Sequence, residues 1–184
     1  MYKPFAHHRW ISSTVPVVSA LLVSVATFSC TQVEPAEATT DFEATATTTY
    51  TWQVEYNPRN VNHDRPNDRR LERFESTSVT SRNGIRPEAE GSGPDSSGLW
   101  WPVLPPEPTV DEIEDRRRRS EKAREPEIIK SVSYQITFNQ AGEQKTLPTD
   151  YDVYRQAVKA FERERALALT LGPQDSSVIQ AEVQ

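Results

Sequence analysis

The stretch SVSYQITF, residues 131–138, decides the fold. Val132, Tyr134, Ile136 and Phe138 alternate with Ser131, Ser133, Gln135 and Thr137. Successive side chains of an extended chain point to opposite faces, so this is a strand with one apolar face. Asn139-Gln140-Ala141-Gly142 follows as a turn signal, and residues 143–147 read as a short returning strand. Pro148 and Thr149 open a helix over 149–164, with Thr149 as N-cap and Asp152 three residues on. Tyr151, Tyr154, Val158 and Phe161, with Ala157, form its apolar stripe, while Arg155, Gln156, Lys159 and Glu162 face away. Leu167, Leu169 and Leu171 alternate with small residues as a buried strand. Gly172–Asp175 is a loop, and residues 177–183 return as an edge strand. A sheet with one apolar face must cover it, and the amphipathic helix is the available cover. The expected class is α+β. Its expected form is a small two-layer sandwich (strand-strand-helix-strand-strand) over 127–184, preceded by a long, largely disordered region.

Upstream, residues 109–126 read as a charged helix. Thr109 and Glu112 have capping-box spacing, and the acids precede the arginines as the helix dipole favours. Glu112–Arg116, Glu114–Arg118 and Asp115–Arg119 are i,i+4 pairs. Only Val110, Ile113 and Ala123 are apolar, so the helix reads as solvated and laced by its own ion pairs. The alternative is that Arg116–Arg119 attract anionic headgroups or a polyanion.

Residues 58–108 show no sustained period and read as mostly disordered linker, with a helical turn at Leu71–Phe74 and a short extended piece at Thr77–Thr80. Within them Leu99–Pro106 is apolar and stiffened by proline. Trp100, Trp101, Pro102, Pro105 and Pro106 are the candidate partner-binding residues. Either the tryptophans lie in a groove of the chain's own domain, or the segment is a polyproline-type ligand for a protein partner. Tyr50, Trp52, Val54 and Tyr56 alternate as a strand over 49–57, stopped by Asn57-Pro58. A core of about 55 residues is marginal without staples, so this strand is an expected addition to it. Residues 30–48, rich in Thr, Ala and Glu, read as a flexible tether.

At the N-terminus, Lys3, His7, His8 and Arg9 precede an uncharged apolar stretch from Val15 to Phe28. As a helix it spans roughly 21 Å, short of the ~30 Å hydrocarbon core. It reads as a secretory signal peptide over 1–29, with a short transmembrane anchor as the alternative. The stretch closes on Ser29-Cys30, and Cys30 is the chain's sole cysteine. Ser29-Cys30 resembles the lipobox of bacterial lipoproteins, from which Thr27 and Phe28 depart. The resemblance implies lipidation of Cys30 and attachment to a membrane, with each buried methylene contributing about 0.8 kcal/mol. The alternative is ordinary cleavage after Ser29 or at Ala36-Glu37-Ala38. Residues Asp150–Leu171 are also similar to small cyanobacterial proteins of unknown function. That likeness implies an envelope or thylakoid-lumen location and no mechanism.

The rest of the composition excludes more than it assigns. The chain has 184 residues, 35% of them hydrophobic, and a net charge of −6, which gives no support to general nucleic-acid binding. A single cysteine makes no intramolecular disulfide. His63 is the only histidine beyond the signal peptide, and no nucleophile motif surrounds it. No Cys/His spacing suits zinc, and no glycine-rich loop suits phosphate, so neither metal nor cofactor is expected. Asp150 and Asp152 sit where a helix cap explains them. The expected protein is a non-enzymatic binding or scaffold module of the cell envelope, lipid-anchored and facing the periplasm, with the membrane and a protein as partners. The alternative activity is a small exported enzyme acting on cell-envelope polymer through Asp or Glu. The alternative locations are soluble periplasmic, thylakoid-lumenal or secreted.

Overall fold

The structure is a computed structural model that describes residues 38–59 and 69–184. The expected signal peptide over 1–29, Cys30 and His63 lie outside the described residues. The main sheet contains β1 (Phe42–Pro58), β2 (Arg70–Arg82), β6 (Glu127–Gln140) and β7 (Glu143–Thr149), in the order β2-β1-β6-β7. All its pairings are antiparallel, and the short β5 (Glu121–Ala123) pairs with the last residues of β1. Two small hairpins accompany it. One is β3 (Gly91–Ser92) with β4 (Trp101–Pro102), the other β8 (Leu167–Leu171) with β9 (Val178–Val183). The helices are α1 (Val110–Arg116) and α2 (Tyr151–Glu162). The class is α+β, with strands predominating.

The strand at 131–138 lies within β6, and the turn at 139–142 joins it to β7 as expected. Its partner on the other side is β1, not the C-terminal hairpin. β1 begins at Phe42, so residues 42–48 are strand and not tether. Their small side chains have a packing reason: Ala44 and Ala46 face inward and share a core with α2, which small residues let approach closely.

β2 corrects the reading of residues 70–82 as linker. Its period is hidden by a bulge: Thr51 pairs with Ser76, but Gln53 pairs with Arg73. The extra residue on β2 reverses which side chains face inward, so Arg70 and Glu72 point in before the bulge, and Val79 and Ser81 after it. No single alternation spans such a strand. After β2, Asn83 and Gly84 turn with positive φ (51° and 74°), and a Cβ on Gly84 would lie 2.9 Å from Val158 of α2.

The expected helix over 109–126 is α1 alone, ending at Arg116. The Thr109–Glu112 capping box is present. The chain then leaves the helix so that Glu121–Ala123 can pair with β1. This removes Arg118 and Arg119 from the i,i+4 ladder, and Arg117 instead meets Glu114 at 2.7 Å, an i,i+3 pair.

In α2 the N-cap is Asp150, which accepts from the Val153 N–H at 2.9 Å. Thr149, the expected cap, closes β7 and donates its hydroxyl to the Val178 carbonyl of β9. Val153, Tyr154, Ala157, Val158 and Ala160 are buried, in one core with Ile136, Phe138, Leu167, Leu169 and Val178. Phe161, expected on the buried stripe, is 42% exposed, and Tyr151 also reaches solvent. In the last turn of α2 Ala160 stays buried, while Phe161 lines an open groove with Thr40 and Phe42 at the start of β1.

The other face of the sheet is polar and rich in hydroxyls. Thr47 bonds Thr80, Thr49 bonds Ser78, and Thr137 bonds Thr146, each at 2.8–2.9 Å.

Candidate functional site

One face of β1 carries Phe42, Ala44, Ala46, Thr48, Tyr50, Trp52, Val54 and Tyr56, and three covers lie along it in series. α2 covers the first part. α1 covers the last, where the Tyr56 hydroxyl donates to the Ile113 carbonyl at 2.8 Å. Between them runs the segment 95–106, and it holds the candidate residues.

Each part of this strap is fastened to the sheet. Leu99 is buried in the α2 core. The Thr48 hydroxyl, itself buried, donates to the Trp100 carbonyl at 2.5 Å, and the Trp100 indole N–H donates to the Gly84 carbonyl at 3.1 Å. The Trp101 indole N–H donates to Asp95 at 2.8 Å, and its ring stacks on Tyr50 with centroids 5.1 Å apart. Lys130 Nζ lies 5.1 Å from the Trp101 ring and 5.4 Å from the Tyr50 ring, within cation–π range. Thr77 donates to the Val103 carbonyl, and the Trp52 indole N–H donates to the Pro105 carbonyl at 2.9 Å.

The structure therefore seats Trp100 and Trp101, both half-buried, in a groove of their own domain. It buries Pro102 and Pro105 and leaves Pro106 exposed. A polyproline ligand presenting all five residues outward is not what these contacts allow. The outward side instead offers Val103 and Leu104, 54% and 56% exposed, followed by Pro106. Pro106 lines a groove of about 480 Å³ with Phe74, Thr109 and Arg116. The guanidinium of Arg116 lies 4.1 Å from the Phe74 ring.

Asp95 organises the start of the strap. Its carboxylate accepts from the backbone N–H of Ser97 and Leu99 as well as from Trp101. Burial pushes this carboxyl up. The bonds from Trp101, Leu99 and Ser97, with Lys130 nearby, outweigh that effect and hold it below the usual value. Gly98, at φ 76°, lets the Arg155 guanidinium come within 2.7 Å of where a Cβ would sit, so Arg155 packs on the strap. The Tyr151 hydroxyl donates to the Ser97 carbonyl at 3.1 Å. Asp95 and Lys130 escaped the sequence reading, though both left signals. Asp95 begins Asp-Ser-Ser-Gly, a side-chain-capped turn pattern. Lys130 shares parity with Val132 and Tyr134, so it belongs to the covered face.

A second polar cluster lies at the α1 end. Arg70 makes a bidentate contact with Glu121 (Nε–Oε1 3.1 Å, Nη2–Oε2 2.8 Å), also bonds Glu72, and lies over the Tyr56 ring at 4.4 Å. The Arg118 N–H adds a bond to Glu121. The Arg70 bond is the main reason the Glu121 carboxyl falls to about 2. Glu121 is thus an ionised partner that locks α1 and β5 to β2. Glu112 is occupied by its capping box. Among the described residues no helix is long and apolar enough to cross a membrane. No family model matches the chain, and searches of curated proteins and of solved structures return no significant match.

Proposed function

We propose that this chain is an exported binding or scaffold protein of the cell envelope, held to a membrane through lipidated Cys30, that makes its contacts through the strap over β1. The observation that carries the contact surface is the exposure of Val103 and Leu104 on a segment whose two ends are fastened to the sheet. A preordered apolar segment binds without the ordering cost that a flexible one incurs. Cys30 at the end of the apolar leader supports the anchor. Binding rather than catalysis is the activity in this reading, since Glu112 and Glu121 already hold structural partners. In architecture, we read α2 with the β8–β9 hairpin as the second layer of a two-layer sandwich over the sheet, because their apolar residues share one core with β1 and β6.

The test has two arms. Cys30→Ser should release the protein from the membrane fraction or stall its processing; unchanged fractionation with unchanged mature mass would refute the anchor. For contact, a photo-crosslinker at Glu107 should give a defined adduct in native membranes that is lost in Val103→Asp/Leu104→Asp. An adduct insensitive to that change would refute the strap as the contact surface.

A further inference from the structure

Phe161 occupies the core side of α2 by helical spacing, three residues beyond Val158 and four beyond Ala157, yet it is 42% exposed. It lines a groove of about 510 Å³ with Thr40, Phe42, Glu162, Glu164 and Arg165. Thr39, just before the groove-lining Thr40, is bridged to Leu167 at the start of β8. The chain leading back toward Cys30 therefore joins the domain at the rim of this groove. Residues 31–37 separate Cys30 from Ala38. At most about 3.5 Å per residue, that connection spans no more than roughly 28 Å. β1 has 17 residues. At about 3.3 Å each it runs some 56 Å, so the connection joins the domain at the Phe42 end of a long strand and not at its Pro58 end.

We propose that the end of the domain bearing Phe161 and Phe42 is a membrane-docking surface, and that its occupant is the lipid bilayer holding the chain. This rests on the anchored reading above. A short connection keeps this end at high effective concentration near the bilayer, while the α1 end is free to swing away. An exposed aromatic ring beside a half-buried one suits the interfacial region of a membrane. Arg163 and Arg165 are offset by Glu162 and Glu164, so apolar insertion rather than charge drives the contact. Phosphatidylcholine, a zwitterion with no net charge, is therefore a sufficient surface, and salt has little effect.

The experiment uses the full lipidated protein in phosphatidylcholine vesicles, with or without brominated acyl chains as contact quenchers. Acylation blocks Cys30, so Lys159→Cys, or Glu162→Cys as a second reporter, carries a single fluorophore; Glu114→Cys is the distal control. The expected result is a roughly twofold loss of fluorescence at 159 or 162 with brominated lipid, and no change at 114. Phe161→Asp should abolish that loss while the protein still floats with the vesicles. Floating protein with unquenched labels at 159 and 162 overturns the docking surface and leaves the anchor standing. So does quenching that persists in Phe161→Asp. Self-quenching that grows with protein density would make the occupant a second copy and overturn the lipid assignment. A mature mass without acyl groups overturns the anchored reading, and docking with it.

Discussion

At the Phe42 end of β1, Ala44 and Ala46 share a core with α2, Ile136, Phe138 and the leucines of β8. At the Pro58 end, Val54 and Tyr56 meet α1 across little more than Ile113, with Phe74 and Ala123 at the margin. The same strand turns the same face inward at both ends. The first end is held by buried apolar surface. The second is held by a small apolar contact reinforced by the Arg70–Glu121 pair and the Tyr56 hydroxyl bond. Apolar burial is insensitive to pH, whereas an ion pair lasts only while both partners are charged. The two ends should therefore fail under different conditions.

The largest effect is expected at the α2 end. Tyr154 is fully buried, and Tyr154→Ala should cost about 3–5 kcal/mol, enough to unfold much of the protein. Phe161→Ala, on the same stripe but over the open groove, should cost about 1 kcal/mol. Urea melts of the two variants compare them, and equal midpoints would break the distinction between the covered and the open positions of the stripe.

Next comes the charged lock. Arg70→Ala leaves Glu121 buried without its main partner and should cost about 2–3 kcal/mol. It should open the α1 end before the α2 end, with hydrogen exchange rising first across 110–123. The same end should respond to acid. A carboxyl at about 2 in the folded protein, against an ordinary 4.5, contributes stability that is full above about pH 4.5. That stability is lost as pH falls through about 2. Exchange across 110–123 that stays flat over this window, relative to 153–160, would show that Glu121 does not hold this end.

Smaller effects sharpen the picture between the ends. Trp52→Phe removes the indole bond to the Pro105 carbonyl and should cost about 1 kcal/mol, read as a lower melting midpoint with faster exchange at 103–106. The smallest is Tyr154→Phe. The Tyr154 hydroxyl is buried with no hydrogen-bond partner among the described residues, so its removal should leave stability unchanged or raise it by up to about 1 kcal/mol. A loss of more than that would mean the hydroxyl has a partner at the centre of the core.

The legible parts were those whose local pattern and tertiary role agree. The alternation at 131–138, the turn at 139–142, the helix-forming stripe of 151–162 and the leucines of β8 each carry one period through one element. β1 was legible only over its aromatic half. In residues 42–48 the inward positions are Ala and Thr, which suit a closely packed helix but have the composition of a tether. β2 was hidden because its bulge reverses the side-chain parity midway. The candidate strap was visible as a segment, since tryptophan and proline in a polar surround need an account. Which of its residues face out could not be read from composition.

By itself, then, the sequence determined where chains run extended or helical with a constant period, because backbone geometry alone maps that period onto a face. It also determined the capping box of α1 and the acidic start of α2, which are local hydrogen-bonding choices. The tertiary structure alone decided which strands are neighbours, because pairing β1 with both β2 and β6 depends on contacts between residues tens of positions apart. It alone decided that Trp100 and Trp101 turn onto their own sheet while Val103 and Leu104 turn out. It also left Phe161, on the core stripe by helical spacing, facing an open groove beside Phe42, because a helical wheel records direction around the axis and not what packs against each position.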